Sequence, residues 1–366
     1  MKKKALVIAT IGGFLPVSEI NNARLLLELG YEVHYAANFN NRIYEFDEQK
    51  LVDMGIVLHQ VDFSKNPYQL VQLMKCVAKV KDIIKTEGID VVHCHTPVGG
   101  VVGRLSARGI REERPYVIYT AHGFHFYKGA SVVNWLIYYP VEYLLSKFTD
   151  CLITINEEDY ERSLKMLCKK CVRIPGVGIN LERFQPIERD EHKEFRIISV
   201  GELNKNKNHS TVIKAIASLQ DADIRYSIYG NGSLKEELEE MIRMYGLENQ
   251  VELKGFHTHI EEPLAESDCC IFPSFREGLG LAALEAMACK VPLIVADNRG
   301  TREFAHHEEN CLVCEPDSVE QFANAIRRMK EDMVFAEKMA EQALQTVQNF
   351  SVDKTRERMR SVYEEL

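Results

Sequence analysis

Two glutamates around a glycine-bearing loop form the strongest chemical motif of the sequence. The stretch runs Phe272-Pro-Ser-Phe-Arg-Glu277-Gly-Leu-Gly-Leu-Ala-Ala-Leu-Glu285, and we expect a strand to end at Phe272 and a helix to begin near Gly280. The N-terminus of a helix offers free N–H groups and the positive end of the helix dipole, which together bind anions. The sequence therefore predicts that a diphosphate binds to the backbone of Gly278, Leu279, Gly280 and Leu281.

The spacing of Glu277 and Glu285 suits the two ends of a nucleotide-sugar. Eight residues separate them, which is roughly 12 Å at the rise of a helix and comparable with the distance from a ribose to a sugar across a diphosphate. One carboxylate could hold ribose hydroxyls while the other holds the sugar. In the alternative interpretation, Glu277 complements the helix dipole in the first turn and Glu285 is a solvated helix residue.

A second loop carries two lysines between an expected strand and an expected helix. It runs Val200-Gly-Glu-Leu-Asn-Lys205-Asn-Lys207-Asn-His-Ser210. An ammonium group placed where a phosphate arrives would offset the charge of a leaving group. We predict that Lys207 stabilises the leaving group and that Lys205 contacts the donor. In the alternative interpretation, both are ordinary surface lysines.

Gly12 and Gly13 follow the first expected strand, so a ligand could approach the backbone there, and we assign both to donor binding. The stretch is not G-x-G-x-x-G, and His34-Tyr-Ala-Ala-Asn38 has no acidic residue at the end of the second strand. Dinucleotide binding uses both of those features. The sequence therefore disfavours a nicotinamide cofactor.

Four histidines lie in two loops that follow strands, His93 and His95 in one and His122 and His125 in the other. His122 could hydrogen-bond a sugar hydroxyl or assist a proton transfer, and we assign His95 and His125 to acceptor binding. A metal site is the alternative use of these side chains, but no carboxylate stands near them in the sequence. We therefore predict no metal.

These motifs depend on a fold that brings loops together at the ends of strands. Apolar runs alternate with amphipathic helical segments along the 366 residues, which is the pattern of parallel sheets. The alternation restarts after a linker at Ile174–Glu194. We predict the α/β class, with two Rossmann-like doubly wound domains facing across a cleft. Ligands of such sheets bind beyond the carboxyl ends of the strands.

The predicted domains are 1–185 for the acceptor, 186–348 for the nucleotide-sugar, and a C-terminal helix at 349–366 that packs back on the first domain. Strands are predicted at Ala5–Thr10, Glu32–Ala37, Val57–Val61, Val91–Cys94, Tyr116–Thr120, Cys151–Ile155, Phe195–Val200, Tyr226–Tyr229, Val251–Leu253, Cys269–Phe272, Leu293–Ala296 and Cys311–Val313. Helices are predicted at Glu19–Leu29, Tyr68–Lys85, Thr211–Leu219, Val319–Gln348 and Val352–Glu365.

The net charge of −9 argues against nucleic acid as the main partner. The net charge is slightly positive over residues 1–185 and strongly negative over the remainder, because most of the acidic residues lie in the second half. A basic first half suits an anionic acceptor or a membrane surface, and solvated helix faces are the alternative. The basic residues in question are Lys75, Lys79, Lys81, Lys85, Arg104, Arg108, Arg111 and Arg114.

No window reaches the roughly 18 uninterrupted apolar residues of a spanning helix, and the start of the chain is predicted as a strand rather than a signal peptide. Ten cysteines without a secretion signal indicate a reducing compartment. We therefore expect a cytoplasmic protein with peripheral contact at the inner face of the cell membrane through its first domain. The most apolar segment, Ser131–Phe148, is predicted as a buried helix, with an interfacial helix as the alternative.

The motifs resemble those of the retaining glycosyltransferases of family 4, and the likeness covers essentially the whole chain. The stretch from Glu277 to Glu285 matches the E-x7-E element of that family, and Gly201–Asn208 matches its G-R-L-x-x-x-K pattern, with Lys207 in the lysine position. One residue departs from the pattern, because Glu202 replaces the arginine that makes one of two diphosphate contacts, and Lys205 is a substitute for it. His122 matches the histidine that approaches the transferred sugar.

The resemblance implies the GT-B fold, a nucleotide-sugar donor with UDP as the default base, retention of anomeric configuration and no metal requirement. The segments HTPVGG, TAHGF and GELNKNKNH are most similar to transferases of bacterial capsule and exopolysaccharide assembly, several of which use lipid-diphosphate acceptors. Two rival functions stay open: a sugar-nucleotide epimerase or hydrolase of the same fold, and a non-catalytic protein that binds a sugar-nucleotide.

Overall fold

The alternation of apolar runs and helices produces one parallel sheet in each half of the chain. A computed structural model describes residues 2–41, 46–64, 69–110, 114–188 and 192–366. The chain divides into a first unit, residues 1–177 with 353–366, and a second unit, residues 178–352. The predicted α/β class with two parallel-sheet domains is confirmed.

Seven strands form the sheet of the first unit in the order β3-β2-β1-β4-β5-β6-β7, and every neighbouring pair is parallel. The strand order reverses at β1, which lies between β2 and β4. The last strand was not predicted, because its sequence, Lys-Cys-Val-Arg, is short and has no apolar run. The strands are β1 (Lys4–Ile8), β2 (Glu32–Ala37), β3 (Val57–Gln60), β4 (Val91–His95), β5 (Tyr116–Ala121), β6 (Cys151–Thr154) and β7 (Lys170–Arg173).

Helices follow the strands of this sheet, and one hydrophobic cluster joins the third, fourth and fifth of them to the strands. The helices are α1 (Ile20–Glu28), α2 (Glu48–Asp53), α3 (Leu70–Glu87), α4 (Pro97–Arg108), α5 (Val132–Ser146) and α6 (Glu157–Ser163). The predicted start of the second helix, Tyr68, lies outside the described residues.

The second unit repeats the arrangement with a six-stranded parallel sheet in the order β10-β9-β8-β11-β12-β13, which reverses at β8. Its strands are β8 (Phe195–Val200), β9 (Ile224–Tyr229), β10 (Val251–Gly255), β11 (Cys269–Phe272), β12 (Leu293–Ala296) and β13 (Leu312–Cys314). Its helices are α7 (His209–Leu219), α8 (Lys235–Met244), α9 (Glu261–Ala265), α10 (Leu281–Ala288), α11 (Val319–Glu331) and α12 (Met333–Val347).

The single long helix predicted over Val319–Gln348 is wrong. The chain leaves the helical conformation at Asp332, with φ −117° and ψ 76°, and α12 begins at the next residue. The Asp332 carboxylate accepts a hydrogen bond from the backbone N–H of Phe335, which is the usual way that an aspartate caps a helix.

The interpretation of Ser131–Phe148 as a buried helix is also wrong. Within this segment α5 buries only one face, and aliphatic side chains such as Val132 and Leu136, both 71% exposed, lie on the other. In the part of the chain that the structure describes, no helix is long and apolar enough to cross a membrane.

The basic residues of the first unit do not form one exposed group. Arg104 is fully buried and donates from Nη1 to Oε2 of Glu142 at 2.8 Å, so it is not available to a membrane or an anionic acceptor. Arg114 donates to both carboxylate oxygens of Asp150, whereas Arg108 is exposed. Arg111 lies outside the described residues. Exposed lysines of α3 are Lys75, Lys79 and Lys85.

The last helix, α13 (Val352–Glu364), returns to the first unit. Tyr363 is 1% exposed, and its hydroxyl lies 2.9 Å from Nδ1 of His93 on β4. Nε2 of the same imidazole lies 2.8 Å from Oγ1 of Thr120 on β5. The C-terminal helix thereby contributes a buried aromatic ring and a hydrogen bond to the first sheet.

We predict that Tyr363→Ala lowers the free energy of unfolding of the first unit by about 3 to 5 kcal/mol, because a large buried side chain is replaced by a cavity. Urea unfolding followed by the fluorescence of Trp135, the only tryptophan, reports on this unit. The adjacent exposed residue provides the control, since Glu364→Ala should change stability by less than about 0.5 kcal/mol. Equal effects of the two substitutions would contradict a structural role of the buried tyrosine.

Candidate functional site

The two loops that the sequence singled out in the second unit lie side by side. Because β8 and β11 are parallel neighbours, the loops that follow them leave the same edge of the sheet. Nδ2 of Asn206 donates to the carbonyl of Arg276 at 2.9 Å, and the N–H of Phe275 donates to the carbonyl of Asn206 at 2.8 Å. Asn208, in the left-handed region with φ 57°, donates from Nδ2 to the carbonyl of Pro273 at 3.1 Å.

These loop contacts bring Lys207 and Glu277 together. Nζ of Lys207 lies 2.7 Å from Oε1 of Glu277, and the two side chains are 21% and 17% exposed. The lysine side chain crosses Gly201, where an added Cβ would lie 3.1 Å from its Cδ, and its ammonium group lies 5.2 Å from the ring centre of Phe272. A partly buried ammonium group is therefore positioned at the end of the sheet, whereas Lys205 and Glu202 are exposed.

Residues 277–280 are a non-helical segment that bends before α10. Gly280 has φ +107°, and α10 begins at Leu281, which is 40% exposed, whereas Leu279 is buried. The predicted start of this helix near Gly280 therefore agrees with the structure. The distance of roughly 12 Å that we derived from helical rise does not apply, because Glu277 and Gly278 precede the helix. The alternative role of Glu277 as a first-turn carboxylate is excluded for the same reason.

Two residues near this turn were missed in the sequence. Arg299 is 7% exposed and donates from Nε to the carbonyl of Glu277 at 3.2 Å. Gly300 passes so close that an added Cβ would lie 2.9 Å from the Cβ of Glu277 and from the backbone nitrogen of Leu279. The dipeptide Arg-Gly after a predicted strand was a signal for this contact, since glycine allows close approach of a backbone.

Glu285, on α10, is partly buried. Burial raises its pKa to about 7, the positive charge of Arg183 opposes that shift, and the charge of Glu261 adds to it. Arg183 donates to Oε2 of Glu261 at 2.7 Å from Nη2. This environment suits a carboxyl group that meets hydroxyl groups of a ligand, and the sequence indicated neither of its two charged neighbours.

In the first unit, β4 and β5 are parallel neighbours. The structure places His93 and His95 on β4 rather than in the predicted loop, so that His95, at the end of β4, meets His122, which follows β5. Nδ1 of His95 lies 3.2 Å from Nε2 of His122. Oε1 of Glu19 lies 3.6 Å from the first of these nitrogens and 3.3 Å from the second. A π-helical turn, Leu15–Glu19, places this glutamate before α1 rather than on the predicted helix, and Nδ2 of Asn22 donates to its Oε2.

Burial controls the protonation of this cluster. It raises the pKa of Glu19 to about 8, against the opposing hydrogen bond from Asn22, and it lowers the pKa of His122 to about 4. The pKa of His95 also lies well below its ordinary value, first because the ring is buried and then because His93 and His122 are near. At neutral pH the cluster therefore pairs a carboxylic acid with neutral imidazoles, so a proton donor stands next to Nε2 of His122.

The same three side chains could hold a metal ion, because one ligand atom from each of Glu19, His95 and His122 lies within 4.8 Å of the others. No carboxylate stands near these histidines in the sequence, but the fold brings Glu19 to them, so the prediction that they lack a carboxylate neighbour is wrong. Imidazole nitrogens with one carboxylate suit zinc or iron.

The remaining residues predicted for the first unit occupy different environments. His95 has no exposed surface, so an acceptor would meet His122, which is 25% exposed, rather than His95. His125 is partly exposed and stacks on Tyr138 of α5 at 4.5 Å between ring centres. Gly12 is buried, and an added Cβ would lie 2.8 Å from Cδ1 of Phe39.

Gly13 is also buried. Packing of aromatic rings accounts for the glycine at position 12, and a donor contact at either glycine stays a prediction.

Two family descriptions match the chain, "Glycosyl transferases group 1" over residues 181–346 and "Glycosyl transferase 4-like" over residues 17–156. The chain is 35% identical to EpsD of Bacillus subtilis (strain 168), a protein provisionally named as a glycosyltransferase, over 99% of this chain and 97% of that protein. It is 28% identical, over 80% of each chain, to the UDP-Gal:alpha-D-GlcNAc-diphosphoundecaprenol alpha-1,3-galactosyltransferase of Escherichia coli. The crystal structure of Anabaena HepE in complex with UDP and glucose has the same fold, with a TM-score of 0.81, 19% identity and full coverage of both chains.

We predict that the stability of wild type relative to Glu285→Gln falls as the pH rises. The folded protein keeps this carboxyl group protonated up to about pH 7, whereas an unfolded chain loses the proton near pH 4.3. The stabilising contribution is therefore present below the unfolded pKa and is lost as the pH rises through the folded pKa. Urea unfolding at several pH values measures the difference.

The control is Glu337→Gln, at an exposed carboxylate of the same unit. It should show no such pH-dependent difference from wild type. A Glu285→Gln variant whose stability runs parallel to wild type at every pH would contradict the raised pKa.

Proposed function

The chain belongs to the family of group 1 glycosyl transferases, and from this premise we propose that it transfers a sugar from a UDP-linked donor to a lipid-diphosphate-linked saccharide. The transfer retains the anomeric configuration and requires no metal. The product serves capsule or exopolysaccharide assembly. The observation that carries the proposal is the close approach of Lys207 and Glu277, 2.7 Å apart at the end of the second sheet. The ammonium group at that position can bind the departing diphosphate, and the neighbouring carboxylate can bind the sugar at the other end of the bond that breaks.

The proposed reaction breaks the bond between the anomeric carbon and the donor phosphate oxygen and forms a bond from the acceptor oxygen on the same face of the sugar. Lys207 and the backbone N–H groups of residues 278–281 would stabilise the charge that develops on the diphosphate. Glu285 would hold the ribose. Glu277 and His122 would orient the sugar, and the departing phosphate oxygen would take the proton of the acceptor hydroxyl.

The metal-free mechanism is supported by the cation that the second unit already provides. Divalent ions neutralise a departing diphosphate in many transferases, and Lys207 offers a positive charge at the corresponding place. Lys205, exposed in the same loop, would supply the second contact that the family pattern assigns to an arginine at the position of Glu202.

The lipid-linked acceptor is supported by the name of the Escherichia coli relative, which states a diphosphoundecaprenol-linked substrate. For this chain we propose that the acceptor binds to the first unit near His122 and His125. Peripheral contact of that unit with the inner face of a cytoplasmic membrane belongs to the same proposal.

The first experiment is donor turnover and saturation binding with a panel of UDP-, GDP- and ADP-sugars in the presence of EDTA, following release of the nucleoside diphosphate. We expect release of UDP from a UDP-sugar. A lipid-diphosphate acceptor should increase the rate of this release, and EDTA should leave the rate unchanged. Loss of turnover with EDTA that zinc restores would move the chemistry to the cluster of Glu19, His95 and His122. An altered sugar-nucleotide without release of nucleoside diphosphate would show an epimerase instead.

We predict that Lys207→Ala lowers kcat by about 100- to 1000-fold, the usual effect of removing one group that stabilises a developing negative charge. Steady-state kinetics with the identified donor measure it. The matched control is Lys214→Ala, at an exposed lysine of α7, which should keep wild-type turnover. Wild-type kcat in Lys207→Ala would remove this lysine from the mechanism.

We predict that Glu19→Gln reduces kcat but leaves UDP affinity unchanged, because the substitution removes the ionisable proton next to His122 and leaves the second unit intact. The control is Glu28→Gln, because Glu28 is a glutamate of the same unit that pairs with Arg356 on the surface. Calorimetric titration of UDP separates binding from turnover. A variant with lower UDP affinity and normal kcat would contradict this role of the buried glutamate.

A further inference from the structure

The outer face of α5 exposes a continuous aliphatic strip. Its exposed side chains repeat at three- and four-residue intervals, as one face of a helix requires. They are Val132 (71% exposed), Val133 (60%), Leu136 (71%), Ile137 (38%), Val141 (43%) and Leu144 (64%). Single exposed apolar residues need no explanation, whereas these six lie on one face of a helix and form a contiguous apolar surface.

Three polar or aromatic side chains on the opposite side of α5 contact the rest of the first unit. Trp135 donates from Nε1 to the carbonyl of Tyr127 at 3.3 Å, and Tyr138 stacks on His125. Glu142, the only acidic residue of the helix, is 7% exposed and accepts the hydrogen bond from Arg104. The helix is thus fixed to the first unit by its polar face, and its apolar face is left outward.

Positive charges stand at both ends of the strip. Lys128 precedes α5 and Lys147 follows it, and both are exposed. Exposed Arg108 stacks on Phe148 at 4.5 Å from the ring centre, close to the second of these lysines in the chain. An aliphatic strip with cations at its ends complements a layer of acyl chains beneath anionic headgroups.

We propose that the outer face of α5 docks on an anionic lipid bilayer, with its aliphatic side chains in the interfacial layer and Lys128 and Lys147 against headgroup phosphates. The dimensions favour a bilayer over a second copy of the chain. Fifteen residues span about 22 Å, and a strip about 10 Å wide gives roughly 220 Å², whereas a stable protein interface buries about 800 Å² on each partner.

Docking of this face gives a physical reason for the position of the acceptor loop. The loop from β5 to α5 carries His122 and His125, and the second of these rings rests on Tyr138 of the docked helix. An acceptor that stays anchored by its lipid would then reach the loop without leaving the membrane. This reason rests on the proposed lipid-linked acceptor, whereas the docking itself does not.

The test is co-sedimentation of the full chain with vesicles, without donor or acceptor, using phosphatidylcholine alone or mixed with phosphatidylglycerol. We expect wild type to bind the anionic vesicles and the double variant Leu136→Glu/Leu144→Glu to bind at least about tenfold less, because carboxylates are excluded from the acyl layer. Both replaced leucines are exposed, so the fold should tolerate the change, and circular dichroism melting confirms it.

The matched control is Met333→Glu/Val334→Glu in the second unit, where the side chains are 71% and 80% exposed. It should bind like wild type. A further variant, Lys128→Gln/Lys147→Gln, should weaken binding to anionic vesicles and reduce its salt dependence. Absence of wild-type binding, or equal binding of the α5 variant and the control, overturns the proposal.

Two additional measurements separate the remaining explanations. If light scattering detects a dimer that Leu136→Glu/Leu144→Glu abolishes, and vesicles do not bind, a second copy covers the face and the proposal is wrong. Donor turnover with a short-chain, water-soluble acceptor should be equal in wild type and this variant. If wild type binds vesicles but shows no donor turnover, the result contradicts the proposed function and leaves the docking proposal intact.

Discussion

Both groups of functional side chains depend on the parallel hydrogen bonding of particular neighbouring strands. In the second unit, the pairing of β8 with β11 delivers Lys207 and Glu277 from segments about seventy residues apart to a separation of 2.7 Å. In the first unit, β1, β4 and β5 are neighbours. Glu19 from the segment after β1, His95 at the end of β4 and His122 after β5 therefore meet in one cluster. Each sheet reverses its strand order at its first strand, the place where open α/β sheets bind ligands.

The two groups differ in how they use charge. Lys207 and Glu277 form a partly exposed ion pair, which solvent screens and a ligand can rearrange. The cluster around Glu19 is buried, so its carboxyl group holds a proton that water would remove. One group is suited to meeting an incoming diphosphate, and the other to keeping a single proton near one imidazole nitrogen.

Much of this arrangement could be predicted from the sequence, and the exceptions have physical reasons. Strand positions followed from apolar runs, and the importance of Lys207 and Glu277 followed from glycine-bearing loops, but their pairing required the strand order. Glu19 was assigned to an ordinary helix because a π-helical turn leaves no clear pattern in a sequence. The apolar residues of α5 were assigned to the core because hydrophobicity alone does not tell a core from an exposed docking face.

The return of α13 to the first unit has a consequence for synthesis of the chain. The buried contact between Tyr363 and His93 joins the fourth strand to a helix that is translated after the second unit. A ribosome that adds about 5 to 20 residues each second needs roughly 10 to 35 s to translate the 175-residue second unit, residues 178–352. During that interval the first sheet emerges without α13, so the second unit can complete its fold before the first does.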